Sequence, residues 1–275
     1  MDEGMNRELG VPSKPNLRLK LLIAYDGRKF RGWQSQATRD GVQDFLEKAL
    51  AQIVGTRVVV HGSGRTDAGV HALGQVAHID VPRDRVPLAK WSTAINACLP
   101  NEIRVLRAMR AAPRFHARFD ASGKIYTYRI WADPIFHPME IGRAWFMPVP
   151  LDFARLRETA QYFIGTHDFA SFAANRGQPD IGTVRTICAV RVTRRGPLIT
   201  LRFEGSGFLY KMVRLLTGTL VRVAQGKLDA AFIRELLAEP GKRKSSYTAP
   251  AEGLYLTRVL YNPRREAAHR TNLSS

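Results

Sequence analysis

Three things are scarce in this chain of 275 residues. There are two cysteines, Cys98 and Cys188, with no paired spacing. That argues against a disulfide framework or a cysteine-based zinc site, and it fits a reducing, cytoplasmic setting. There is no uninterrupted apolar run of the ~18 residues needed to cross a bilayer, so no membrane partner is expected. The opening MDEGMNRELGVPSKPN has no basic start followed by an apolar core, so it does not read as a signal peptide. Acidic residues are outnumbered, 24 Asp+Glu against 42 Lys+Arg, for a net charge of +18. Signature motifs are missing too. No G-x-x-x-x-G-K-[ST] or G-x-G-x-x-G run occurs, so no nucleotide cofactor is expected. The seven histidines form no metal-ligand spacing, and nothing suggests Ser-His-Asp hydrolysis.

What the chain does have is arginine, 32 of its 42 basic residues. Guanidinium groups grip phosphate in a planar, two-pronged way and stack on bases, so the bias favours a polyanion partner. The less favoured alternative is a GC-rich genome that raises arginine everywhere. Hydrophobic residues make up 45% of the chain, enough for a real core.

Alternation and 3.6-residue periodicity place the elements. Strands are expected at 17–25, 57–61, 74–81 and 102–109, with helices at 41–55 and 88–99, which gives the order β-α-β-β-α-β. The second half has expected strands at 124–131, 143–147, 184–194, 197–205 and 252–261. Its helices are expected at 151–165, 207–224 and 229–239. The fold class is α+β: two ferredoxin-like halves with antiparallel mixed sheets, joined around a central cleft that would serve to bind RNA if the partner is a nucleic acid. The domains run 17–113 and 114–263, and the ends, 1–16 and 264–275, read as loose tails.

The candidate chemistry centres on GSGRTDAGVHALGQ, residues 62–75. Gly62, Gly64 and Gly69 surround one acid, Asp67, between two expected strands. Glycines let the backbone bend tightly and let a ligand approach. A rigid, accessible carboxylate suits a nucleophile or general base; an Asx-turn residue with no chemistry is the alternative. Arg214 sits among Val213, Leu215 and Leu216 in a helix expected to be covered nearly all round. A guanidinium there either finds an acid, for which Asp67 is the candidate, or snorkels to solvent. Tyr126 and Tyr128 lie two apart on a strand and share a face; they are either base-stacking rings or core.

Five blocks then make a resemblance: YDGRKFRGWQSQ (25–36), GSGRTDAGVHALGQVAHID (62–80), FHARFDASGKIYTYRI (115–130), FLYKMVRLLTGTL (208–220) and AEGLYL (251–256). In order and across nearly the whole chain, they resemble bacterial tRNA pseudouridine synthases of the TruA family. The resemblance implies an enzyme that isomerises uridine to pseudouridine in the tRNA anticodon stem-loop, at positions 38, 39 and 40. It implies a cytoplasmic homodimer that requires no metal or cofactor. It assigns catalysis to Asp67, paired with Arg214, and to Tyr126, which would pack on the target base. Arg65 would hold the flipped nucleotide, and Phe208 joins the substrate-binding set.

The chemistry agrees with that assignment, because the isomerisation needs no redox partner or external energy. The flipped base costs a few kcal/mol to unstack, which an arginine wedge and a stacking tyrosine can offset. The carboxylate then acts on carbon, at the sugar C1′ or at uracil C6, or first removes a sugar proton. Arg191, Arg194, Arg195 and Arg202 are expected phosphate contacts or ordinary solvated strand residues. The competing reading is a non-catalytic RNA-binding module. The aromatic-rich strand such modules carry is missing from GQVAHIDV.

Overall fold

Leu17, Leu19, Leu21, Ile23 and Tyr25 alternate along the first strand, and all five are buried. This computed structural model describes residues 16–174 and 182–262. The expected tails lie outside those residues, apart from Asn16, which opens strand β1 (Asn16–Tyr25). The first half continues through helix α1 (Val42–Val54), β2 (His61–Gly62), β3 (His71–Pro82), α2 (Trp91–Ala97) and β4 (Ile103–Arg110). That is the order expected from the periodicity. Helix α1 ends at Gly55, whose φ of 85° is the left-handed stop that a glycine makes readily.

The expected strand at 57–61 is shorter, only His61 and Gly62. Val58 and Val60 are buried as the alternation predicts. The Val60 backbone, however, bonds to side chains of α1: its N–H donates to Glu47 at 3.1 Å, and its carbonyl accepts from Gln43 at 3.1 Å. Those partners take the place of a ladder.

The second half holds β5 (Ala121–Trp131), β6 (Trp145–Phe146), α3 (Phe153–Ala160), β7 (Gly165–Asp168), β8 (Val184–Arg195) and β9 (Leu198–Gly205). Helices α4 (Met212–Ala224) and α5 (Ala231–Ala238) follow, then β10 (Leu254–Tyr261). Asp152 caps α3 by accepting from the Arg155 N–H, as its position before an apolar-periodic run implies. The β8–β9 hairpin forms as expected. Strand β7 went unpredicted, because Gly-Thr-His-Asp has no apolar alternation.

The α+β class holds, and the sheets of the two halves are one sheet. Its order is β4-β1-β3-β10-β5-β9-β8-β7, with β2 on β3 and β6 on β5. The halves join where the last strand, β10, runs parallel to β3, pairing Tyr255 with His71 and Leu256 with Ala72. The His71 ring stacks on Tyr255 at 4.6 Å and accepts from the Gly27 N–H at 3.1 Å. Gly74 sits at the joint because a Cβ there would fall 2.6 Å from the Thr257 carbonyl. The expected division at 113/114 falls in the connection between β4 and β5. Among the described residues no helix is long and apolar enough to cross a membrane.

Candidate active site

The loop carrying Asp67 is gripped from three sides. Gln75, fully buried on β3, accepts from the Ser63 hydroxyl at 2.7 Å and donates to the Gly64 carbonyl at 2.9 Å. Tyr25 on β1 meets the Thr66 hydroxyl at 2.8 Å, and burial pushes its phenol pKa upward. The segment after β1 lies against the loop's outer side. Trp33 donates its backbone N–H to Thr66, and the Gly69 N–H donates to Phe30. Gly27 and Gly32 allow this approach: a Cβ would fall 2.1 Å from the Val70 carbonyl at the first and 2.5 Å from the Thr66 carbonyl at the second. Of the three loop glycines, Gly69 has a left-handed φ of 77°. Gly62 is required for space, since its missing Cβ would strike the Trp33 ring.

Asp67 is thereby held at the wall of a cavity of about 590 Å³, between the first-half loop and second-half strand β5. Arg214, in the first turn of α4, pairs with it. Its Nη1 donates to Asp67 Oδ2 at 3.3 Å, and its Nε donates to the Ala249 carbonyl at 2.8 Å. The acid and the guanidinium are 16% and 15% exposed, so the pair is shielded but open at the cavity. Helix α4 is covered nearly all round, as expected. It starts at Met212 and not near 207, because Lys211 takes a left-handed φ of 57°. The segment 207–211 is therefore free of the helix and lines the cavity through Phe208, Leu209, Tyr210 and Lys211.

The other predicted residues also gather here. Tyr126 leaves β5 toward the cavity, packs edge-on against Phe208 at 5.2 Å and is 8% exposed. Burial, the largest influence, raises its phenol pKa, so the hydroxyl stays protonated at neutral pH. Tyr128, on the same strand face, is core; its hydroxyl donates to the Pro250 carbonyl at 2.8 Å. Arg65 is exposed at the rim, its Nε donating to Gln34 at 3.0 Å. Arg191, Arg195 and Arg202 do not join them. Arg202 pairs with Thr127 across the ladder while Tyr126 pairs with Phe203, so Arg202 and its partner Arg191 project from the opposite sheet face. Arg195, an even number of residues along β8 from Arg191, shares that face.

The cavity is also lined by Arg118, Phe119 and Lys124, from the block FHARFDASGKIYTYRI in which the sequence singled out the tyrosines. Phe119 is 71% exposed. The fold also gathers His61, His78 and His116, with candidate ligand atoms within 4.8 Å of one another. Their hydrogen bonds oppose a metal. His78 Nδ1 accepts from the Ala117 N–H at 3.1 Å, and His116 Nδ1 from the Arg118 N–H at 3.1 Å. Each neutral ring therefore carries its proton on Nε2, whereas a ligating imidazole donates from its second nitrogen.

With this geometry in view, the comparisons with known proteins decide the kinship. The sequence profile of the tRNA pseudouridine synthase family matches residues 21–120 and 159–262.

The chain belongs to the tRNA pseudouridine synthase family.

It is 47% identical over 252 residues to tRNA pseudouridine synthase A of Solidesulfovibrio magneticus, covering 89% of this chain and 91% of the relative. It is 45% identical over 251 residues to the protein of the same name from Akkermansia muciniphila, covering 89% and 95%. For the Bacillus licheniformis protein the identity is 42% over 250 residues, covering 90% and 100%. Members of the family are isomerases. The matched ranges include the Asp67 loop and all of α4 and β10, whereas Tyr126 lies in the stretch between them.

Proposed function

We propose that this protein isomerises uridine to pseudouridine in the anticodon stem-loop of tRNA, at positions 38, 39 and 40, with Asp67 as the nucleophile acting on a flipped-out uridine. The observation that carries the assignment is the Asp67–Arg214 pair at the wall of an open cavity. The carboxylate is fixed by a guanidinium that is itself fixed by the Ala249 carbonyl.

The reaction breaks the N1–C1′ bond, turns the uracil and forms a C5–C1′ bond. The proton on C5 leaves, and N1 ends protonated, so atoms and charge balance. Asp67 supplies the carboxylate oxygen that engages the nucleoside. Tyr126 and Phe208 form the apolar wall against which a uracil packs while detached, which limits the water reaching it. Arg65 stands at the rim, where it can occupy the gap left by an extruded nucleotide. Two copies of the chain act together, and no cofactor takes part.

Tritium release from RNA labelled at uracil C5 tests this directly, because that hydrogen is lost only when the carbon link forms. Wild type releases one tritium per product. Asp67→Asn keeps the shape, loses the nucleophile and is expected to fall by at least about 1000-fold. Turnover by Asp67→Asn within a few-fold of wild type removes the carboxylate from the mechanism. Product at tRNA sites outside the anticodon arm overturns the site assignment and leaves the chemistry standing.

A further inference from the structure

One cation in the cavity has no part in the chemistry above. Lys124 leaves β5 two residues before Tyr126, on the same face. Its ammonium donates to the Ser63 carbonyl at 3.0 Å, and a Cβ on Gly64 would fall 2.3 Å from its Nζ. Among the described residues it has no carboxylate partner, and neither has Arg118 or Arg185, the two cations that act on it electrostatically. Arg185 donates to the Gly182 and Val184 carbonyls, and its Nε lies beside Gly207. The Arg118 guanidinium lies 5.8 Å from the centre of the Phe119 ring. Three cations with no acid among them form a site completed by an anion from outside.

We propose that Lys124, flanked by Arg118 and Arg185, seats a backbone phosphate of the RNA strand that carries the target uridine. This rests on reading the chain as an RNA-modifying enzyme. The Ser63 carbonyl uses one of the three ammonium hydrogens and leaves two for phosphate oxygens. The same bond ties the Asp67 loop to β5, so a strand held at Lys124 is registered against Asp67.

A consequence separates this seat from an ordinary surface lysine. Burial, then Arg118 and Arg185, lower the Lys124 pKa to about 8 in the free protein. A phosphate in contact favours the charged form and raises it again. Below pH 8 the amine is charged whether or not RNA is bound, and affinity does not vary through this group. As the pH rises through 8 the free protein loses the proton and the complex keeps it. Binding then takes up a proton, and affinity falls until the pH passes the bound-state value. The other charged or titratable groups lining the cavity are Asp67, Arg65, Lys211, His61, His116, Tyr126 and Tyr210. Burial lowers His116 and raises Tyr126, which moves both away from this window.

The test is calorimetric titration of an anticodon stem-loop RNA at pH 8.5, in two buffers of different ionisation enthalpy. Wild type is expected to take up about half a proton or more on binding. Lys124→Arg, charged throughout, is expected to bind with no uptake. Lys124→Met is expected to show no uptake, bind about tenfold more weakly at pH 7 and lose about one unit of salt slope. Wild-type binding without uptake overturns the seat, as does equal uptake by Lys124→Met and wild type. Tritium release by wild type on the same RNA keeps the two readings apart: product without proton uptake removes the phosphate seat alone, and no product removes the enzyme reading on which it rests.

Discussion

At the scale of the residue, Arg214 performs two tasks with one planar group, and no other side chain can do both. Nε holds the Ala249 carbonyl and Nη1 holds Asp67. A lysine at 214 can reach one of them as a point charge, but it cannot bridge both with fixed geometry. Arg214→Lys is therefore expected to lower kcat by about 10- to 100-fold with a smaller change in KM, and Arg214→Ala to lower it further. Steady-state tritium release reads both, and a change confined to KM would make Arg214 a binding residue only. A second residue prediction concerns acid. His78 is buried, and burial, then Arg18, His61 and His116, lower its pKa to about 4, against 6.5 for an ordinary imidazole. The folded state thus resists a proton that the unfolded chain accepts. The stability this contributes is full above pH 6.5 and is lost as the pH falls toward 4. His78→Gln is expected to show a smaller fall in melting temperature between pH 7.5 and pH 5 than wild type; equal falls would contradict it. Asp67 and Arg214 were legible because each breaks a local pattern: an acid among glycines, a cation inside an apolar helix. Lys124 breaks none. A lysine in a strand reads as solvated, and its shielding comes from a loop 61 residues away.

At the scale of the element, α4 sets the site, and its packing leaves it no freedom to shift. Gly218 faces the chain at Tyr247 so closely that a Cβ would fall 1.8 Å from that carbonyl. The same stretch presents Ala249, which holds Arg214 through both a backbone and a side-chain bond. Gly218→Ala must push the two segments apart. It is expected to cost about 1–3 kcal/mol or more, roughly 3–10 °C in melting temperature, together with activity. Thermal melts and tritium release would report it, and an unchanged melting temperature would mean that the 245–250 segment yields freely. Periodicity located α4 but placed its start too early, since the apolar spacing continues through Phe208. The left-handed turn at Lys211 has no sequence signal of the kind a glycine provides. For 57–61 the alternation correctly marked which valines are buried. Alternation is silent on what satisfies the backbone, and here α1 side chains do so.

At the scale of the whole molecule, a single sheet crosses both halves, so neither can lose its edge without exposing the other. The β3–β10 pairing and the His71–Tyr255 stack make that connection. One cooperative unfolding transition is therefore expected, with calorimetric and van't Hoff enthalpies that agree; two separated transitions would show that each half stands alone. The strand-helix order was readable from hydrophobic pattern in the first half and, apart from β7, in the second. That they merge into one sheet was not, because the joining strand is the last in the chain and its partner lies some 180 residues earlier, a pairing that local periodicity cannot register. Charge behaved likewise: +18 pointed to a polyanion partner, but which arginines share the cavity's side depends on ladder register.

That long sheet ends at β4, whose outer backbone groups find no neighbouring strand among the described residues. Arg104, Arg107 and Arg110 line this border strand. A second copy arriving antiparallel would set cation against cation along the seam. The β4 border is thus guarded against fibre-like stacking of one copy on another.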